Sequence, residues 1–125
     1  MKRVLVVDDS PMARDAFPDI ISLIAPNEFE FITAKDGQEA LEIIISKSSS
    51  EPLYALITDF NMPRMTGGEL VREIIKREIS INKIVIISGE VENQFSVDDI
   101  LMSNKHIMFK LKPCHFEEIV KFIKE

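Results

Sequence analysis

Five short apolar runs, separated by segments of helical periodicity, limit what this sequence can fold into. They occupy residues 4–7, 29–32, 54–57, 84–87 and 107–111. Three of them are continuous and rich in Val, Ile and Leu, the pattern of strands buried on both faces of a parallel sheet. Between the runs, Ala13, Ala16, Phe17, Ile20, Ile21 and Ile24 share one helical face. So do Ala40, Leu41, Ile44 and Ile45, then Leu70, Val71, Ile74 and Ile75, and finally Phe116, Ile119, Val120 and Ile123. Residues 94–104 carry the least regular of the helical patterns. Helix starts are marked by Ser10-Pro11, an N-cap with Pro at the first helical position. Asp36 with Glu39 and Thr66 with Glu69 have capping-box spacing. Pro18 removes one hydrogen bond inside the first helix and predicts a kink there. Residues 46–51 read as a polar loop within the domain.

The resulting order is βαβαβαβαβα. Right-handed crossovers make this an α/β fold: a doubly wound, five-stranded parallel sheet with helices on both faces, of the flavodoxin-like type. With 125 residues, 46% of them apolar, the chain suits one domain spanning residues 1–125 with a single packed unit.

Charge and composition exclude several classes of function. The net charge is −6, with 15 basic residues scattered along the chain, so direct nucleic-acid binding is not expected. Cys114 is alone, which precludes an internal disulfide and fits a reducing compartment. His106 and His115 have no partners at zinc-finger spacing. No apolar run approaches the ~18 residues of a membrane span. Lys2-Arg3 before the first run mimics a signal-peptide opening, but Asp8-Asp9 ends that run at once. A cytoplasmic protein is expected.

In open α/β sheets, ligands bind beyond the carboxyl ends of the strands. Asp8-Asp9 follow the first run, Asp59 the third, Ser88-Gly89 the fourth and Lys112-Pro113 the fifth. Three carboxylates converging on one pocket repel each other unless some are protonated or a cation neutralises them. All-oxygen ligands suit Mg²⁺ or Mn²⁺ better than zinc. A lysine and a hydroxyl nearby point to an anion above the metal. Together these are the parts of a phosphoryl-transfer site. Taken singly, each part has a plainer reading: Asp8-Asp9 as a turn and helix cap, Lys112 as a solvated charge, Ser88 as a strand end, Phe109 as a core aromatic.

Asp8-Asp9, Asp59-Phe60-Asn61-Met62-Pro63 with Gly67, Ser88, and Lys112-Pro113 resemble the response-regulator receiver domains of two-component signalling, and the resemblance spans the whole chain. It implies that Asp59 accepts a phosphoryl group and that Asp9 ligates the metal directly, with Asp8 acting mainly through water. Asp59 and the backbone carbonyl of Asn61 would complete the protein ligands. Ser88 and Lys112 would bind phosphoryl oxygens. Phe109 stands at the position of the switch aromatic, and Asn61 and Glu90 where hydrolysis is tuned. The resemblance also implies a cis Lys112–Pro113 peptide. Gly89 is expected to leave space unfilled when Ser88 moves. The sequence departs from the family pattern at Pro18, at Ser103-Asn104-Lys105, and in having Ser88 for the commoner threonine.

The function that follows is a signalling switch rather than an enzyme. It would be phosphorylated by a sensor histidine kinase or phosphotransfer protein. It would bind a downstream target protein through a surface running roughly from Asn93 to Glu125, without membrane insertion. With no effector in this chain, it is similar to single-domain regulators of chemotaxis or phosphorelays. A receiver cut from a longer protein is an alternative. So is an aspartyl phosphatase of the haloacid dehalogenase type, but that chemistry needs a second Asp as general acid where Asn61 stands. A nucleotide-binding module would need glycine-rich phosphate loops, which are missing here.

Overall fold

A computed structural model describes residues 1–47 and 52–125. It contains five parallel strands: β1 (Lys2–Val7), β2 (Phe29–Ala34), β3 (Ala55–Asp59), β4 (Lys83–Ser88) and β5 (Ile107–Leu111). They are ordered β2-β1-β3-β4-β5 in one sheet. The helices are α1 (Pro11–Ile24), α2 (Gly37–Lys47), α3 (Gly67–Lys76), α4 (Glu92–Ser96), α5 (Asp98–Ser103) and α6 (Phe116–Lys124).

Side-chain alternation along the strands divides the core in two. Leu5, Val7, Leu56, Ile84 and Ile86 face one side, where Ala40, Leu41, Ile44, Leu70, Val71, Ile74 and Ile100 cover them. Val4, Val6, Ala55, Ile57, Val85 and Ile87 face the other, under Ile21, Ile119, Val120 and Ile123. Helices therefore lie on both faces, as the doubly wound reading requires.

Local chemistry sets the helix starts. Ser10 Oγ accepts from the Ala13 N–H, and Pro11 opens α1. α1 runs through Pro18 to Ile24. Thr66 and Glu69 form a reciprocal capping box at α3. At α2, Asp36 Oδ1 accepts from the Glu39 N–H at 2.8 Å, while Glu39 reaches back to the Lys35 N–H at 3.1 Å. Ser46 and Lys47 prolong α2 rather than opening a loop. The rest of that expected loop, residues 48–51, lies outside the described residues.

The main departure from a fivefold βα repeat is the fourth helix, which is broken at Val97 into α4 and α5. Val97 is itself buried against the core. Asn104 ends α5 by donating from Nδ2 to the Ile100 carbonyl at 3.0 Å and to Ser103 Oγ at 3.1 Å. A polar side chain thus does the terminating job that a glycine commonly does.

Two glycines differ in what they allow. A Cβ on Gly67 would lie 2.3 Å from the Asp59 carbonyl oxygen, whereas one on Gly89 would meet nothing within 4 Å. Gly89 therefore faces open space, and it carries no side chain that could fill room left by Ser88. Gly67→Ala should cost about 1–3 kcal/mol through overpacking, and Gly89→Ala less than about 0.5 kcal/mol. Urea unfolding of both variants checks this, and similar losses would contradict it.

Candidate functional site

The sheet order changes direction between β1 and β3, and the carboxyl ends of those strands form the crevice where such folds place a ligand. Asp8 and Asp9 follow β1, and Asp59 is the last residue of β3. Their carboxylate oxygens lie within 4.8 Å of one another. Asp8 is buried, Asp9 exposed and Asp59 between the two. Asp8 is fixed on three sides. Its N–H donates to the Ala34 carbonyl at 3.2 Å, its Oδ1 accepts from the Ser10 N–H at 2.9 Å, and its carbonyl accepts from Arg14 Nη1 at 2.8 Å.

Asp59 is held by its own backbone neighbourhood. Thr58 Oγ1 donates to the Asp59 carbonyl at 2.9 Å, and the Phe60 N–H bonds the Ile87 carbonyl at 2.8 Å. The Gly67 N–H returns to the Phe60 carbonyl at 2.8 Å, closing the loop onto α3. Lys112, just beyond β5, reaches across β4 and places Nζ 3.2 Å from Asp59 Oδ1. The peptide joining it to Pro113 is cis.

Burial pushes the Asp59 carboxyl above the usual carboxylate range. The Lys112 cation opposes that shift, and the Asp8 and Asp9 charges reinforce it. Lys112 outweighs the two neighbouring acids at Asp59 but does not offset the burial. The donor set is all oxygen and its ligand atoms are already close, so a hard divalent cation fits it.

Ser88 is fully buried at the end of β4. Its Oγ accepts from the Glu90 N–H at 3.0 Å and from Asn93 Nδ2 at 2.8 Å. Asn61 is exposed, and its Oδ1 accepts from the same Asn93 Nδ2 at 3.4 Å. Glu90 is exposed and contributes its backbone to this group. Phe109 stands apart from the acids. It pairs in register with Ile86, packs half-buried against the larger core, and lines a cleft with Gln94, Pro113 and His115.

The structure thus brings Asp8, Asp9, Asp59 and Lys112 into direct proximity, with Ser88 and Asn61 joined through Asn93. Sequence reasoning missed the site roles of Asn93 and Arg14. Arg14 left a signal: a cation near a helix N-terminus opposes the macrodipole and calls for another partner. Asn93 left none, because its reach back to Ser88 depends on how the turn after β4 folds.

The sequence profile of the response regulator receiver domain family matches residues 4–124. The chain is 34% identical over 122 residues to response regulator RR06 of Streptococcus pneumoniae, covering 97% of this chain and 51% of that protein. Chemotaxis protein CheY4 of Vibrio cholerae superposes with a TM-score of 0.74 at 27% identity, covering 99% of this chain and 97% of that one. A LuxR-family DNA-binding response regulator from Staphylococcus aureus gives a TM-score of 0.79 at 26% identity, covering 99% and 97%. The chain spans about half the length or less of the first curated relatives it matches: 51% of RR06 and 32% of the Bacillus subtilis transcriptional regulatory protein YesN.

The raised Asp59 proton affinity has a consequence for stability. The folded state holds the Asp59 proton more tightly than the unfolded chain. Its contribution is full below the unfolded carboxylate range and is lost as pH rises through the folded value. Near pH 7 the ionised Asp59 is therefore a net cost in metal-free protein. Asp59→Asn should raise the metal-free Tm by a few degrees at about pH 7, with the gain shrinking toward acid. Mg²⁺ should stabilise the wild type more than the variant. Thermal melts with and without Mg²⁺ check both, and a lower Tm for the variant at neutral pH would contradict the sign.

Proposed function

This chain belongs to the response regulator receiver domain family, and on that premise we propose that Asp59 accepts a phosphoryl group in a Mg²⁺-dependent reaction that alters the protein's binding surface. Receiver domains act as signalling switches in two-component systems, and the matched family gives no support to a haloacid-dehalogenase-type phosphatase. The observation that carries the reading is the approach of three carboxylates to within 4.8 Å, with Lys112 Nζ 3.2 Å from Asp59.

The cation would be held by Asp9 directly, by Asp8 through water, by Asp59, and by the backbone carbonyl of Asn61. When bound it would supply positive charge that offsets carboxylate repulsion and draws in phosphoryl oxygens. Transfer is a balanced displacement. An Asp59 carboxylate oxygen forms a bond to the donor phosphorus, and the bond from phosphorus to the donor's leaving atom breaks. The electron pair leaves with the donor. Lys112 neutralises one phosphoryl oxygen, and the buried Ser88 hydroxyl donates to another. In hydrolysis, water attacks phosphorus and the Asp59 carboxylate is released. Asn61 and Glu90, at the rim of the pocket, tune that step, and their small, exposed side chains favour a short-lived phosphoryl group.

The phosphoryl donor is a sensor histidine kinase or phosphotransfer protein. The output is a target protein bound across residues 93–125, a surface carrying the exposed Phe95, Met102 and Leu111. Phe109 couples site and surface. It lies on the same face of the sheet as Ser88, one strand away, and a phosphoryl group that draws Ser88 inward makes room for its ring. A hydrogen bond to a charged group contributes about 1.5–3 kcal/mol, which shifts a two-state balance roughly tenfold or more. Residues 1–125 act in this reading as one receiver unit that works on its own phosphorylation and no other substrate. No helix among the described residues is long and apolar enough to cross a membrane. We place the protein in the cytoplasm, acting without direct contact to nucleic acid.

Incubation with Mg²⁺ and a small phosphodonor should raise the intact mass by one phosphoryl group, and Asp59→Asn should abolish the rise. Undiminished labelling of the variant would overturn the assignment. Phe109→Ala should keep phosphorylation but lose most of the beryllium-fluoride-induced NMR shifts across residues 93–104. Full wild-type shifts there would make Phe109 core packing alone.

A further inference from the structure

Ser88 Oγ has an unusually complete set of partners for a residue expected to meet an anion. A hydroxyl offers one proton and two lone pairs. The Glu90 N–H occupies one lone pair at 3.0 Å and Asn93 Nδ2 the other at 2.8 Å. The proton is left with the Glu90 carbonyl at 3.3 Å, long for an O–H···O bond. A phosphoryl oxygen needs a donor and is repelled by a lone pair. With both lone pairs capped, the only thing this hydroxyl can turn toward the pocket is its weakly held proton.

We propose that Asn93 is a positioning residue for phosphoryl transfer, holding the Ser88 hydroxyl in the donor orientation that a phosphoryl oxygen requires. The inference rests on Asp59 being the phosphoacceptor. Asn93 is suited to the task because its amide supplies two donors. One caps Ser88, and the other reaches Asn61 Oδ1 at 3.4 Å, which turns the Asn61 NH₂ group away from that contact. The backbone of Asn93 is anchored as well. Its N–H bonds the Glu90 carbonyl at 3.2 Å, and its carbonyl accepts from Ser96 Oγ at 2.7 Å. Arg72 on α3 then holds the Ser96 carbonyl at 2.7 Å while forming a two-point ion pair with Asp99. Asn93 thereby ties the Ser88 hydroxyl to a helix pinned to α3, and the side chain that orients the hydroxyl also feels its movement.

A double-mutant cycle tests this, using the Mg²⁺-dependent rate of Asp59 phosphorylation by phosphoramidate, followed by intact mass. Asn93→Ala should slow phosphorylation about three- to tenfold in the wild-type background, the range one hydrogen bond commands. In the Ser88→Ala background the same substitution should change the rate less than about twofold, because the group it acts through is gone. A general effect on folding or on α4 would persist in both backgrounds. Wild type that takes up no phosphoryl group overturns the phosphoacceptor reading and this role together. Labelled wild type with equal losses in the two backgrounds overturns the role of Asn93 alone.

Discussion

Like charges at Asp8, Asp9 and Asp59 are held within 4.8 Å of one another at the end of an apolar sheet, and much of the surrounding architecture serves to keep them there. Repulsion of that kind would drive flexible side chains apart. It persists because each acid follows a buried strand whose neighbours fix its backbone. The strands below them, residues 4–7 and 55–57, are almost entirely buried. Gly67 admits the Asp59 carbonyl at a distance that no Cβ would permit. At Asp59 burial is the main cost of carrying charge, with the Asp8 and Asp9 charges adding to it. Lys112 offsets those charges but not the burial, and a divalent cation or a proton would relieve the remainder. In the proposed function, that is the physical basis for coupling cation binding, and then phosphorylation, to the rest of the molecule.

The coupling route follows from what touches Ser88. The hydroxyl is buried, and it is joined through Asn93 to α4 and through strand pairing to β5. The break at Val97 leaves α4 as five residues without a side-chain cap. A helix this short has little stability of its own, so its place depends on the Asn93 contacts at one end and on Arg72 at the other. Such an element sits at the low-stability end of the molecule, where movement costs least. In the proposed switch, phosphorylation at Asp59 acts on this segment, held by a few polar contacts, and on the half-buried Phe109 ring that lines a cleft with Gln94.

Much of this was legible in the sequence. The strands at residues 4–7 and 84–87 could be read because short continuous apolar runs rich in β-branched residues, followed at once by polar residues, suit buried strands. Asp8, Asp9, Asp59 and Lys112 could be read because strand ends converge in a parallel sheet. β2 was read two residues short, since Thr33 is polar and Ala34, though buried, is a residue that strands use little. The break at Val97 was hidden because Val97 and Ile100 keep helical spacing across it. Asn93 was hidden for a different reason. Its partner lies across a turn whose path comes from backbone geometry, and no residue spacing encodes that.

The central claim is that one particular carboxylate, that of Asp59, becomes covalently bound to phosphorus. Borohydride reduction of the phosphorylated protein followed by peptide mass mapping tests it most directly, because reduction converts an aspartyl phosphate into homoserine. The account predicts homoserine at position 59, formed only when Mg²⁺ and a phosphodonor are both present. Homoserine at position 8 or 9, or a stable phosphate on Ser88 with Asp59 unmodified, would contradict it.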